Sequence, residues 1–131
     1  MVDPSLAAAL LRASPERLLG DLKTLGFLFE SLTTRDLRVY AAANDALVFH
    51  YRERGGELEV DLIVERDDGA WIAAEVKLGG AQIDRAVTAL TRLATARVKR
   101  PPAALIIVTA TEYAYIRPDG ILVAPLALLG P

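Results

Sequence analysis

The chain has no cysteine and only one histidine among its 131 residues. The missing thiols exclude disulfides and thiolate zinc sites, and they agree with a reducing compartment. With His50 as its only imidazole, the protein would hold any metal mainly through oxygen ligands, which favours Mg²⁺ or Mn²⁺ over zinc. His50 is expected on a strand whose alternation groups it with Val48 and Arg52, and we interpret it as structural.

Long apolar runs and an amino-terminal targeting signal are also missing. No uninterrupted apolar segment approaches the roughly twenty residues of a membrane span, and the first residues lack a basic flank and a cleavage site. These absences predict a cytoplasmic protein with no membrane partner.

The chain lacks a strong charge of either sign, because its formal net charge is −2. That balance argues against a dedicated nucleic-acid coat protein, although the local distribution of charge matters more than the total. Basic residues recur along a predicted helix at 82–96 and just beyond it, at Arg85, Arg92, Arg97, Lys99 and Arg100. Two interpretations stay open for them, contact with nucleic-acid phosphates and ordinary solvation of an outward helix face.

Apolar residues are in excess, since they make up 53% of the chain and give a mean hydropathy of +0.30. The length suits one domain, so we predict a single domain over 1–131, with a helical lead-in at 1–24 and the core at 25–131. Leucine and phenylalanine concentrate near the amino terminus, at Leu6, Leu10, Leu11, Leu18, Leu19, Leu22, Leu25, Phe27, Leu28 and Phe29. We expect an apolar patch there, covered by an upstream domain or by a second copy in a homodimer.

Caps, breakers and periodicity predict a helical start followed by a sheet. Two short helices are expected, one from Asp3 or Ser5 to Arg12 and one opening at Ser14-Pro15. A longer helix at 25–43 follows, then strands at 46–54, 57–65 and 70–77, a helix at 82–96, strands at 104–109, 113–116 and 121–124, and a short terminal helix. This order is typical of an α/β domain in which helices flank a mixed sheet with an antiparallel meander.

Residues 57–77 are the most informative segment, two alternating runs joined at a DDG turn. Strict alternation would put one set of the first run on one face (Glu57, Glu59, Asp61, Ile63, Glu65) and the other set on the opposite face (Leu58, Val60, Leu62, Val64). A three-residue loop ending at Gly69 pairs Arg66 with Ala70, because Gly69 supplies the left-handed residue that such a turn requires. This register sets Asp61 opposite Glu75 and Glu59 opposite Lys77.

Two carboxylates directly opposite each other repel, and a divalent cation removes that repulsion. Mg²⁺ binds through one or two carboxylates, retained waters and a substrate phosphate. We therefore predict a Mg²⁺ or Mn²⁺ site at Asp61 and Glu75, with the backbone carbonyl of Val76 as a further ligand. Lys77 would lie beside the metal, where it could orient or deprotonate the attacking water or neutralise the phosphate.

Several alternatives stay open on this hairpin. Glu59 is an outer hydrogen-bond acceptor, a ligand of a second metal, or the ion-pair partner of Lys77. The plainer interpretation is an exposed face on which Glu59 and Lys77 pair across the strands while Asp61 and Glu75 are solvated.

Asp61 in D-L-I-V-E, with Glu75 and Lys77 in E-V-K, resembles the motif of the PD-(D/E)xK nuclease superfamily, with Val60 in place of the proline. A longer resemblance rests on DPSLAAALL, LGFLFESLTTRDLRVYA, HYRERGGELEVDLIVE, EVKLG and PDGILVAPLALLG. This longer resemblance is to the C-terminal domain of bacterial and archaeal AAA-type ATP-binding proteins, a domain of unknown function numbered 4143. Together they imply a restriction-endonuclease-like PD-(D/E)xK core.

The resemblance also implies that Glu30 is the acid which nuclease relatives contribute from a helix before the sheet. Helical spacing groups Glu30 with Gly26, Leu37 and Ala41, so it lies on or beside a buried face, and a hydrogen bond to Thr34 is the plainer interpretation. Gln82 could match a polar residue that some relatives place behind E-x-K, although a solvent-facing glutamine in the first helical turn is the plainer interpretation.

No phosphate-binding G-x-x-x-x-G-K-[ST] loop is present, so we expect no ATP site in this chain. The resemblance implies that the partner is an upstream ATPase domain that this chain lacks. The leading hypothesis is Mg²⁺-dependent phosphodiester hydrolysis of nucleic acid, with Asp61, Glu75 and Lys77 at the site and Glu30 and Glu59 supporting it. The competing hypothesis is a noncatalytic module that docks on its own ATPase domain or on a protein partner, because fold alone does not establish chemistry.

Overall fold

The computed structural model describes residues 22–95 and 100–129, which form two helices and a six-stranded mixed sheet. Helix α1 spans Leu22–Ala43 and helix α2 spans Ile83–Thr95, with 3₁₀ turns at Gly80–Gln82 and Leu126–Leu128. The strands are β1 (Ala46–Arg52), β2 (Glu59–Arg66), β3 (Trp71–Lys77), β4 (Ala104–Thr109), β5 (Tyr115–Ile116) and β6 (Leu122–Pro125). The predicted α/β class is confirmed for these residues. The ends of the helices and strands differ from the predicted ends by a few residues, which is common because element ends fray.

Helix α1 begins at Leu22, earlier than the predicted residue 25, and ends at Ala43 as predicted. Its last turn is closed by the side chain of Asn44, whose Nδ2 donates to the carbonyl of Tyr40 at 2.8 Å. Asp45 then takes a left-handed conformation with φ of 54°, which reverses the chain into β1.

The strands lie in the order β1-β2-β3-β4-β6-β5. The first three form an antiparallel meander, β3, β4 and β6 are parallel to one another, and β5 closes the far edge antiparallel to β6. A parallel pair needs a crossover, and α2 supplies it between β3 and β4.

Each helix covers one face of the sheet. On the α2 face, Ile83, Ala86, Leu90 and Leu93 of the helix pack with Val60, Ala73, Ile107 and Val123 of the strands. On the α1 face, Phe29 and Leu37 pack with Leu62, Ala74, Val76 and Val108. The α2 face carries the larger buried cluster. Its close packing holds α2 against β3 and β4.

Strand β2 contains a bulge that overturns the predicted alternation of its side chains. Phe49 pairs with Ile63 and Tyr51 pairs with Val60, so β2 places two residues, Asp61 and Leu62, opposite the single residue between them in β1. Val60 and Ile63 therefore lie on the α2 face, whereas Leu62 lies on the α1 face. A period of two cannot anticipate an inserted residue, and the predicted grouping fails at that point.

The predicted helices at 3–12 and from residue 14 onward, and most of the apolar lead-in, fall outside the described residues. At the start of α1, Phe27 is 67% exposed and Leu28 is buried. Within 22–95 and 100–129, neither helix is long and apolar enough to cross a membrane.

Candidate functional site

The turn between β2 and β3 has the predicted register. Arg66 N donates to the carbonyl of Ala70 at 2.8 Å, and Gly69 has φ of 89° at the end of the three-residue loop. The strand pairs continue from Glu65 with Trp71 down to Leu62 with Ala74. One step further along the same register lies Asp61 with Glu75.

At Asp61 and Glu75 side chains take over from the backbone ladder. Asp61 N donates to Glu75 Oε1 at 3.2 Å, and Val76 N donates to Asp61 Oδ2 at 2.8 Å. Each carboxylate thus reaches across to the main chain of the opposite strand. The two acids are brought together where β2 and β3 separate, close to the end of the parallel strands β3 and β4.

Glu75 is almost fully buried, with 4% of its surface exposed. The pKa of Glu75 is raised from 4.5 to about 8, first by burial, then by the negative charge of Asp61 and a hydrogen bond between the two side chains, against the opposing effects of Lys77 and the N–H of Asp61. With a pKa of about 8, the Glu75 carboxyl group is mostly protonated at neutral pH.

Lys77 lies beside the acids, as the E-x-K spacing predicts. Its Nζ is 3.6 Å from Glu75 Oε2, and its side chain is 26% exposed. A partly exposed ammonium next to a buried carboxyl group can contact both the protein and a ligand that arrives from solvent.

The β2–β3 ladder ends at the pair Leu62–Ala74, so it contains no pair between Glu59 and Lys77. Glu59 pairs with Arg52 of β1, and its Oε1 is 3.0 Å from His50 Nε2. The predicted Glu59–Lys77 ion pair is replaced by Glu59–His50 and Glu75–Lys77. The bulge contributes to this arrangement, because it shifts the residues before Leu62 relative to β1 and sets Glu59 opposite Arg52.

His50 is the site residue that sequence reasoning missed. Its Nδ1 lies 3.1 Å from the carbonyl oxygen of Asp61, in addition to the contact of Nε2 with Glu59. Alternation pointed to a histidine grouped with Val48 and Arg52, and nothing in that pattern shows what stands across the strand pair. The usable signal was the short connection between β1 and β2, which brings His50 opposite Asp61 and Leu62.

Glu30 of α1 is half-buried and faces the same group of charges. Burial raises its pKa, the carboxylate of Asp61 raises it further, Lys77 and then His50 lower it, and Glu59 raises it slightly. Thr34 does not bond the Glu30 side chain, since its hydroxyl donates to the backbone carbonyl of Glu30 at 2.9 Å. The predicted Thr34 partner is therefore wrong, and the acid lies in the field of the candidate site.

The remaining candidates are more distant or uncommitted. Val76 contributes its N–H to Asp61, and its carbonyl as a ligand stays a prediction. Gln82 is exposed, as a solvent-facing glutamine would be. Arg85 and Arg92 are exposed on α2, and Arg97 and Lys99 lie outside the described residues. Arg100 is engaged at the turn, where its Nη1 donates to the Asp68 carbonyl at 2.9 Å.

The ligands present fit a hard cation that takes only a few of its ligands from the protein. Among the described residues, no three side chains of the His, Asp and Glu types converge as a metal-binding group. Two adjoining carboxyl groups remain, which is the number that Mg²⁺ commonly uses when waters and a phosphate complete its shell. The buried, like-charged pair has an evident electrostatic use for a cation.

The comparisons with known proteins place the chain in a family. Residues 25–129 match the family model described as a domain of unknown function, DUF4143. No curated protein and no solved structure matches the chain. The matched region contains Glu30, the β2–β3 hairpin and both parallel strands beside it, so the candidate site lies wholly inside the family domain. The chain belongs to the DUF4143 family.

Proposed function

We propose that this domain hydrolyses phosphodiester bonds of nucleic acid with the help of Mg²⁺ or Mn²⁺. The observation that carries the proposal is the meeting of Asp61 and Glu75 at the fork of β2 and β3, with Lys77 Nζ 3.6 Å from Glu75. Acids of this kind and a cation in one place suit a reaction in which negative charge develops on a phosphoryl group.

Asp61 and Glu75 are the proposed metal ligands. Asp61 Oδ2 and Glu75 Oε1 already accept backbone N–H groups, so Asp61 Oδ1 and Glu75 Oε2, the latter beside Lys77 Nζ, are the oxygens proposed to bind a cation. The cation would offset the negative charge of two acids that lie side by side, one of them buried. A bound divalent metal supplies Lewis-acid polarisation of the phosphoryl oxygen and lowers the pKa of a coordinated water.

The other charged residues have supporting roles in this proposal. Lys77 donates to the reacting phosphate or orients the water, since its ammonium is partly exposed beside the acids. Glu30, whose raised pKa reflects burial and the nearby Asp61, holds a proton or accepts a hydrogen bond from the water. Glu59 acts through His50, which it contacts at 3.0 Å.

The PD-(D/E)xK identity belongs to this proposal. It is supported by the order of α1, the three-stranded meander, α2 and the parallel β4, together with an acid on β2, E-x-K on β3 and Glu30 on the preceding helix. We likewise propose that an AAA-type ATPase domain is the natural partner, which would load the nucleic acid.

Calorimetry with Mn²⁺ tests the metal site. We expect weak binding by the wild-type chain and no heat from the Asp61→Ala/Glu75→Ala double variant, because no third strong protein ligand is evident among the described residues. Arg38→Ala, which removes an exposed charge on α1, is the control and should bind Mn²⁺ as the wild type does. No heat at millimolar Mn²⁺, or equal heat in the double variant, would overturn the site.

Cleavage assays on single- and double-stranded DNA and RNA with Mn²⁺ test the reaction. Lys77→Ala should lower the rate by on the order of 100-fold to 1000-fold, the usual effect of losing one donor to a developing charge. The fold should survive, since Lys77 is partly exposed at the end of β3. Cleavage that persists in Lys77→Ala and in excess EDTA would argue for a different site.

A noncatalytic docking module is the second candidate, and one observation favours it. An open, largely apolar cavity of about 350 Å³ lies between α1 and the sheet, bordered by Leu37, Val64, Ile72, Ile106 and Leu129. An apolar opening of this kind suits contact with an upstream ATPase domain or another protein. This function would be favoured if the wild-type domain binds the ATPase domain but neither binds Mn²⁺ nor cleaves nucleic acid.

A further inference from the structure

We propose that His50 is a positioning residue that holds Asp61 in place through the bond between its Nδ1 and the carbonyl oxygen of Asp61. The consequence for metal affinity rests on the proposed function, whereas the consequence for the backbone does not. Nothing in the E-x-K pattern contains this residue, which comes from the edge strand β1.

Asp61 lies in the bulge of β2, where backbone geometry is least constrained by the ladder. Between the pairs Phe49–Ile63 and Tyr51–Val60, His50 alone stands opposite Asp61 and Leu62. Bulges of this type turn a side chain away from its regular direction and are common beside active sites. The direction of the Asp61 carboxylate therefore depends on what restrains the bulge.

Three hydrogen bonds that involve side chains restrain Asp61, and His50 supplies one of them. The N–H of Asp61 donates to Glu75 at 3.2 Å, its Oδ2 accepts from Val76 at 2.8 Å, and its carbonyl faces His50 Nδ1 at 3.1 Å. The first two tie Asp61 to β3. Of the three, the third ties it to β1, so removing it loosens the bulge against β1.

The two contacts of His50 are not equivalent. Both partners are acceptors, so each contact needs a proton on the ring nitrogen that makes it, and a neutral ring donates only one. Both contacts are exposed, but they differ in what they hold, because Nε2 contacts the side chain of Glu59 whereas Nδ1 contacts the main chain of Asp61 in the bulge. A bond to the main chain restrains the bulge directly and a bond to a half-exposed side chain does not, which assigns the positioning role to Nδ1.

Two conservative substitutions separate these contacts. Asparagine places an amide N–H where histidine has Nδ1, so His50→Asn retains a donor for the Asp61 carbonyl. Glutamine places its amide where histidine has Nε2, so His50→Gln retains a donor for Glu59 only. The side chain of His50 is 49% exposed, and neither change should unfold the domain.

Amide hydrogen exchange of the metal-free protein is the primary measurement. The amides of Asp61 and Val76 should exchange about twofold to tenfold faster in His50→Gln, the range that corresponds to a typical net hydrogen bond. In His50→Asn they should stay close to wild type. The amides of Ile63 and Ala73, further along the same strand pair, are the internal control and should not change.

Three results would overturn the proposal. Unchanged exchange in both variants would show that Asp61 does not depend on His50. The reverse order, with protection retained in His50→Gln alone, would give the role to Glu59. Equal acceleration at Ile63 and Ala73 would indicate a general loss of stability.

Mn²⁺ calorimetry on the same variants separates this inference from the proposed function. If both hold, His50→Gln binds Mn²⁺ about twofold to tenfold more weakly and His50→Asn binds nearly as the wild type does. If the wild type binds no Mn²⁺ while the exchange pattern is as expected, the metal site fails and the positioning role stands.

Discussion

The two ends of the β2–β3 hairpin differ in how their polar groups are satisfied. At the turn end, Arg66 N donates to Ala70, Gly69 N donates to Arg66, and Asp68 caps the N–H of Ala70 at 2.9 Å. At the open end, Asp61 and Glu75 use their carboxylates to bond the opposite main chain. The turn end consists of local and mostly exposed contacts, whereas the open end buries a carboxyl group next to another acid.

This difference shows which end of the hairpin stabilises the fold and which end destabilises it. A turn closed by its own residues stabilises the hairpin at little cost, because its donors have acceptors within the turn and its polar groups remain exposed to water. A buried acid beside a like charge is destabilising unless it is protonated or neutralised by a cation. Perturbed acids of this kind concentrate at functional sites, which is the reason the open end and not the turn is the candidate site.

The largest expected effect is the pH dependence of stability caused by Glu75. Because its pKa is raised from 4.5 to about 8 on folding, the folded state binds more protons between these values, and the free energy of unfolding should fall as pH rises through this window. We expect a loss on the order of several kcal/mol between pH 5 and pH 9 in metal-free urea denaturation. Glu75→Gln, which stays neutral, should remove most of this slope.

Two controls sharpen that measurement. Below the unfolded-state pKa of 4.5 both proteins carry a neutral side chain, so their free energies of unfolding should converge in acid. Added Mn²⁺ should restore stability to the wild type at pH 9 but not to Glu75→Gln, if the metal site exists. A wild-type slope equal to that of Glu75→Gln would show that folding does not raise the pKa of Glu75.

A smaller effect is expected at the turn end from Gly69→Ala. Gly69 has φ of 89°, and a Cβ there would lie 3.0 Å from Arg100 Nη1. We expect the free energy of unfolding to fall by about 1–2 kcal/mol, from the left-handed conformation and the weakened Arg100 contact with Asp68.

Gly55→Ala is the matched control for that change. Gly55 has a similar φ of 94° but nothing within 4 Å of an added Cβ, so its substitution reports conformational strain alone. Gly69→Ala should be the more destabilising of the two, and neither should alter Mn²⁺ affinity. Weaker Mn²⁺ binding in Gly69→Ala would show that the two ends of the hairpin are coupled.

The smallest effect is expected from Asp68→Asn. The bond from the Ala70 N–H, followed by the pairing with Arg66, lowers the pKa of Asp68. Its contribution to stability is present above the unfolded-state pKa and is lost as pH falls through the folded-state value. Asp68→Asn should therefore lower the urea midpoint slightly at pH 7 and not at pH 2, because Asp68 is exposed and screened. An equal shift at both pH values would mean that its charge does not contribute.

Much of the hairpin could be predicted from local chemistry. The DDG loop, the Arg66–Ala70 closure and the approach of Asp61 to Glu75 follow from the conformational freedom of one glycine and from counting residues along two strands. For the residues of β2 that precede Leu62, the sequence could not predict which face each side chain takes. A bulge adds one residue to the alternation and has no sequence signal of its own. The predicted Glu59–Lys77 ion pair is not formed, since Glu59 contacts His50 and Lys77 contacts Glu75.

The sequence by itself determined the α/β class, the turn register and the acids that meet at the fork, since these depend on periodicity and on residues close together in the chain. Only the tertiary structure decided that Glu75 is buried, that Glu30 of α1 shares the field of Asp61, and that His50 of β1 contacts it. These properties need segments far apart in sequence to pack together. Burial and cross-strand contact depend on the whole fold, and for that reason the chemistry of the site emerges only there.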